Sequence, residues 1–149
     1  MSSAAVRAAF KTRFSAAYPS MSLIDIENVQ PTLPTDANGF VTACVGLLFF
    51  ATEAALAVGS PDNRQWRETG TINALVFYPA DQGVDGAVEI ADTIRNLFAG
   101  VDLPVASPGV KLSLLDATPL TQYLSRPGAP TGVYATGAVA IAYQYDFIR

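Results

Sequence analysis

The sequence predicts an α+β domain: an antiparallel sheet of about four main strands carrying two helices on one face, in the order α-β-β-α-β-β, with a long β-hairpin arm. Three observations carry this. Apolar stripes with helical spacing occur at residues 3–18 and 87–99, and two long β-rich runs flank the turn Gly59-Ser60-Pro61-Asp62-Asn63. Residues 133–147 then alternate bulky and small side chains over a full strand length. Each amphipathic stripe needs an apolar surface to cover, and one sheet face supplies it.

Taken in order, Val6, Phe10, Phe14 and Ala17 fall on one helical stripe, with Arg7, Lys11 and Arg13 away from its centre. Pro19 sets the end of this helix, because proline lacks an amide donor and disfavours helical geometry in the preceding residue. A short extended piece is expected over residues 21–26. The run from Pro31 through Pro34 to Asn38-Gly39 reads as a long loop closed by a turn. Phe40 to Phe50 is rich in Val, Phe and Leu and reads as a strand buried on much of both faces.

Residues 51–58 have helical propensity but are assigned here to the same strand, so that Gln65 to Tyr78 returns as the second arm of a hairpin. Each arm would span on the order of 45 to 55 Å at about 3.3 Å per residue, and its distal half would overhang the sheet. Unpaired edges of that kind invite pairing with a neighbouring subunit. After the turn at 79–86, Val88, Ala91, Ile94, Leu97 and Phe98 form the stripe of the second helix, with Gly100 placed for a left-handed C-terminal cap. Val105 to Leu115 is a further strand, residues 118–132 are a second long loop, and Val133 to Phe147 is the last strand.

At 149 residues the chain has the length of a single domain, 1–149, able to bury one core without disulfides. It has no histidine, which removes the commonest general base and metal ligand. Its one cysteine, Cys44, lies in an apolar run and reads as a small buried hydrophobe. No membrane span and no secretory signal is visible, so folding in a cytoplasm is expected. Charged residues make up 15% against roughly 25% in ordinary soluble domains, which suggests surface buried against other chains. A net charge of −4 without clustered Lys or Arg argues against binding to a nucleic-acid backbone.

No cofactor-binding, metal-binding or catalytic motif is present. Asp81 and Asp85 flank Gly83 before the second helix, where acids complement the helix N-terminus, and Glu89, Asp92 and Arg95 read as a solvated helix face. A carboxylate-dependent enzyme or ligand-binding domain would have to use Asp81, Asp85 or Asp92. Arg64, Trp66 and Arg67 combine an indole with two guanidinium groups, the residue types of interface anchors.

Several stretches, taken in order, carry a resemblance. They are Glu27-Asn28 before a Pro-rich loop, the long apolar strand, Arg67-Glu68-Thr69-Gly70 leading to Pro79, and Gly86 to Phe98 after Gly83. Together with the tyrosine-rich final strand they resemble the tail terminator, or tail-completion, proteins of long-tailed bacteriophages. The resemblance implies a non-enzymatic virion protein, made in the host cytoplasm, that forms a hexameric ring on the tail tube and ends its polymerisation. Its implied partners are further copies of itself, the tail-tube protein and a head-completion or neck protein. Genome DNA would pass through the lumen without specific binding, which an acidic balance suits. Arg64, Trp66 and Arg67, with Tyr123 and Arg126 of the second long loop, would then lie at subunit or tube contacts. A different neck or tail-tube connector is the alternative within the same class.

Overall fold

The computed structural model describes residues 3–27, 32–60, 63–79, 82, 85–106, 109–117 and 133–148. Helix α1 (Ala4–Ala17) is followed by strands β1 (Ser22–Asp25), β2 (Cys44–Ser60) and β3 (Asn63–Pro79), then helix α2 (Asp85–Phe98). Strands β4 (Asp102–Leu103), β5 (Gly109–Ala117) and β6 (Val133–Ile148) complete the chain. Among the described residues the strands form one six-stranded sheet in the order β1-β2-β3-β6-β5-β4.

The α+β class and the order of the main elements are as the sequence implies. Two points of the expectation change. The sheet has six strands rather than about four, and it is mixed: β1 runs parallel to β2, pairing Ser22 with Cys44 through Asp25 with Leu47. A parallel pairing cannot be closed by a tight turn, and Ile26, just after β1, lies with Phe77 over Gly46. The distal half of the hairpin also differs from an overhang. β6 pairs along the whole of β3, from Gln65 opposite Ile148 to Pro79 opposite Val133, because its alternating run is as long as the strand it meets.

Register divides the sheet into two faces. Val45, Leu47 and Phe49 lie opposite Val76, Ala74 and Ile72, which in turn continue onto Val139 and Ile141. With Tyr143, Tyr145, Leu112 and Leu114 these form the core face, covered by Val6, Phe10 and Phe14 of α1 and by Ala87, Ile90, Ala91, Ile94 and Phe98 of α2. Each large apolar side chain buried there contributes about 1.5–3 kcal/mol. Phe10 joins the layers, stacking on Phe98 at 3.9 Å and meeting Phe49 edge-on at 6.0 Å.

The helix ends follow local chemistry. Ser3 caps α1, its Oγ accepting from the Val6 amide at 3.4 Å, and the Tyr18 amide closes the other end on the Phe14 carbonyl at 2.8 Å. Gly100 takes the left-handed conformation at φ 66° after α2, the geometry that favours glycine there. Two carboxylates fasten α1 to the sheet. Glu68, buried at 7% exposure, accepts from Tyr143 Oη at 2.7 Å and from the Ser3 amide at 3.2 Å. Glu27 accepts from the Phe49 amide at 2.7 Å and pairs with Arg7, whose guanidinium lies 4.8 Å from the centre of the Phe49 ring.

Candidate functional site

The opposite face of the sheet carries no helix among the described residues. Strand alternation places Leu48 and Phe50 of β2, Thr69, Thr71, Asn73 and Leu75 of β3, Ala138, Ala140 and Ala142 of β6, and Leu115 of β5 on or around this open face. Phe50 and Leu115 are 53% and 55% exposed and flank a shallow groove of about 280 Å³ lined by Thr71 and Ala142. Toward the hairpin end the face becomes polar. Asp146 is buried beneath a two-pronged pair with Arg67, Oδ1 to Nε at 2.8 Å and Oδ2 to Nη2 at 3.0 Å. Gln144, with its amide oxygen turned to the guanidinium, accepts from the same two nitrogens at 3.1 Å. Lys111 lies opposite Asp146 in the β5–β6 register and pairs with Asp102 at 3.1 Å, and Asp102 also accepts from Ser113 Oγ at 2.6 Å.

Hydrogen bonding from Arg67 and its charge together hold the Asp146 carboxyl below the usual carboxylate range, against the opposing effect of burial. Hydrogen bonds from Ser113 and Lys111, with the Lys111 charge, lower Asp102 as well. A carboxylate lowered in the folded state stabilises it fully above the unfolded value, about pH 4, and that contribution is lost as pH falls through the folded value. The stability difference between the natural protein and Asp146→Asn should therefore shrink between pH 7 and pH 3, as urea unfolding midpoints at the two pH values would read.

A second feature is the outer edge of β2. β1 pairs only as far as Leu47, so from Leu48 to Ser60 the described residues offer this edge no strand, although Glu27 caps the Phe49 amide. The free stretch has no Lys, Arg or Pro, the residues that most often blunt an edge, and its defences are Glu53 in the sequence and two register shifts against β3. Leu56 and Val58 within it are 52% and 71% exposed.

The proposed anchors separate in space. Trp66 and Arg64 share the helix-side face, where Trp66 lies between Leu56 and Phe147 in adjacent strands, whereas Arg67 belongs to the open face and is engaged by Asp146. Tyr123 and Arg126, like Asp81, lie outside the described residues. Asp85 and Asp92 are exposed on α2, Asp92 facing Arg95 at 3.9 Å, and they do not converge in a cleft. Among the described residues no group of three or more Cys, Asp or Glu side chains is placed to hold a metal ion. Cys44 is fully buried, and burial pushes its thiol up to about 11, away from nucleophilic use. A groove of about 630 Å³ beside α1, lined by Ala5, Ala9, Ala16, Leu97 and Pro104, has Arg13 as its single charged wall. The Arg13 Nε is already given to the Leu97 carbonyl at 3.1 Å.

Sequence reasoning missed the charged row of Arg67, Asp146, Lys111 and Asp102. The usable signal was Gln144 and Asp146, which fall on the opposite face of β6 from the tyrosines.

No protein-family model matches the chain, and no curated protein matches it. Among solved structures, one protein whose name states no function is similar over 99% of this chain and 96% of its own. The TM-score is 0.53 at 20% sequence identity, a likeness of fold alone.

Proposed function

We propose that this chain is a virion structural protein of a long-tailed bacteriophage that closes into a ring on the end of the tail tube, stops its growth and offers a surface for head joining. The observation that supports this reading best is the β2 edge from Leu48 to Ser60, which no described strand covers and along which Leu56 and Val58 are exposed, interrupted by two register shifts against β3. An edge of that length and composition is a hazard for a free monomer and a ready template for a neighbour. A heterologous contact repeated from copy to copy closes a ring if its rotation closes. Trp66 and Arg64, next to Leu56 and Gly59 in the adjacent strand, would border the contact. The low charge of the chain fits a protein that functions covered by other chains.

The test is the native mass at two concentrations, by light scattering after size exclusion, alongside negative-stain electron microscopy. The expected result is a hexamer, or a concentration-dependent approach to one, and its loss in the double variant Leu56→Lys with Val58→Lys at unchanged thermal stability. A protein that forms no ring, alone or with tail-tube protein added, overturns the reading. A tail-tube subunit would use the same edge but give long tubes in the micrographs, where a terminator gives single rings.

A further inference from the structure

We infer that Asn38 is a covalent modification site, a place of spontaneous deamidation, and that Asp36 sets its rate by holding the turn around it closed. Of the five asparagines in the chain, only Asn38 is followed by glycine. Glycine has no side chain to hinder its own backbone nitrogen, so here that nitrogen can most readily reach the preceding asparagine side chain. Asn38 and Gly39 are both exposed, and water reaches them. The ring reading makes no use of this loop, and the inference stands apart from it.

The reaction needs no cofactor and no redox partner. The Gly39 backbone nitrogen gives up its proton to solvent and attacks Cγ of Asn38. A new C–N bond closes a five-membered succinimide ring, the Cγ–Nδ2 bond breaks, and Nδ2 takes up a proton and leaves as ammonia. One water then opens the ring. Opening at Cγ leaves aspartate, and opening at the main-chain carbonyl leaves isoaspartate, with the backbone running through Cβ and Cγ. The sum is an amide and a water giving a carboxylate and an ammonium ion.

The folded loop opposes the first step. Thr35 bridges Val41, the Asp36 amide donates to the Phe40 carbonyl at 2.8 Å, and the Thr42 amide donates to the Pro34 carbonyl at 2.9 Å. Residues 37–39 connect the two arms of this small hairpin, with Gly39 in the left-handed conformation at φ 83°. The Gly39 N–H, whose proton must be lost, donates to the Asp36 carbonyl at 3.0 Å. In a turn closed by such a bond the second central residue, here Asn38, has ψ near about 0°, whereas ring closure needs the Gly39 nitrogen rotated until it eclipses Cβ. That rotation breaks the bond, so the turn has to open before the ring can form. One carboxylate oxygen keeps it closed. Asp36 Oδ1 accepts from the Asn38 amide at 2.8 Å and from the Phe40 amide at 2.9 Å, charge-assisted bonds on both sides of Gly39. Deamidation therefore follows the small population of open turn, and Asp36 sets that population.

The test follows the fraction of aspartate and isoaspartate at residue 38 with time in neutral buffer, by mass spectrometry of proteolytic peptides. The folded natural protein is expected to react at least about tenfold more slowly than the same protein unfolded in guanidinium chloride. Asp36→Ala, shown to be folded by its thermal unfolding, is expected to react about tenfold faster than the natural protein. Asp36→Ser keeps a weaker acceptor and is expected to fall between them. Equal rates in the folded and unfolded natural protein overturn the proposal. So does an Asp36→Ala variant no faster than the natural protein, or the absence of reaction at residue 38 in every sample. Should Asp36→Ala fail to fold, Asp36→Ser decides: a rate between those of the folded and unfolded natural protein supports the proposal, and the natural rate overturns it.

Discussion

Replacing Gly70 by valine is expected to destabilise the protein by about 3 kcal/mol or more, the largest effect of any single substitution on the sheet. A Cβ built at Gly70 would lie 2.2 Å from the Phe50 carbonyl oxygen and 2.7 Å from Cε1 and Cζ of Tyr143. Neither neighbour can yield. The carbonyl belongs to a strand in register, Phe50 opposite Thr71. Tyr143 is 1% exposed and tied by its hydroxyl to Glu68. Moving the ring would break that bond and leave a buried carboxylate short of a donor, at a further cost of about 1–3 kcal/mol. Urea unfolding of the variant reads the sum. A loss below about 1 kcal/mol would mean that the β2–β3 pair relaxes around the added atoms and that the Tyr143 to Glu68 tie is not fixed.

Phe10→Ala is the second large effect, expected at about 3–5 kcal/mol. Its ring is fully buried, stacked on Phe98 and edge-on to Phe49, so its removal opens a cavity where α1, α2 and β2 meet. The stack itself is expected to contribute about 0.5–1.5 kcal/mol of this, measured as the coupling between Phe10→Ala and Phe98→Ala in a double-mutant cycle. Additive losses would mean that the two rings pack independently of each other. Since α1 reaches the sheet largely through Val6, Phe10 and Phe14, the variant should also weaken protection of the α1 amides in hydrogen exchange.

Much of the fold could be read from periodicity, and the points where reading failed have physical reasons. Val6, Phe10 and Phe14 are buried as their spacing implies, while Ala17 at the end of the same stripe is exposed. On α2 the buried arc is Ala87, Ile90, Ala91, Ile94 and Phe98, and Val88 is 38% exposed. Val88 and Leu97 fall on the two flanks of that arc and Ile90 within it on the Leu97 side, so the stripe is centred further round the helix than the expected residues put it. Residues 51–58 are strand despite their alanines, because pairing with β3 outweighs a helix propensity of a few tenths of a kcal/mol per residue. The extended piece expected over residues 21–26 is β1, but four residues do not state a parallel partner, and the two-residue β4 is too short to leave a period.

The candidate surfaces were less accessible to reading. Trp66 and Arg67 look like one anchor along the chain, yet adjacent strand residues face opposite ways. The charged row draws on four strands, and no single stretch of sequence states how they align.

One consequence of the strand order concerns the route to the native state. The central strand β3 takes its first neighbour across a tight connection and its second, β6, from the far end of the chain. Pairing of that kind raises the mean sequence distance between contacting residues, which slows folding. A newly made chain can close the β2–β3 hairpin early, but until β6 arrives the hairpin has two open edges instead of one, and the tyrosines that complete the core are still missing.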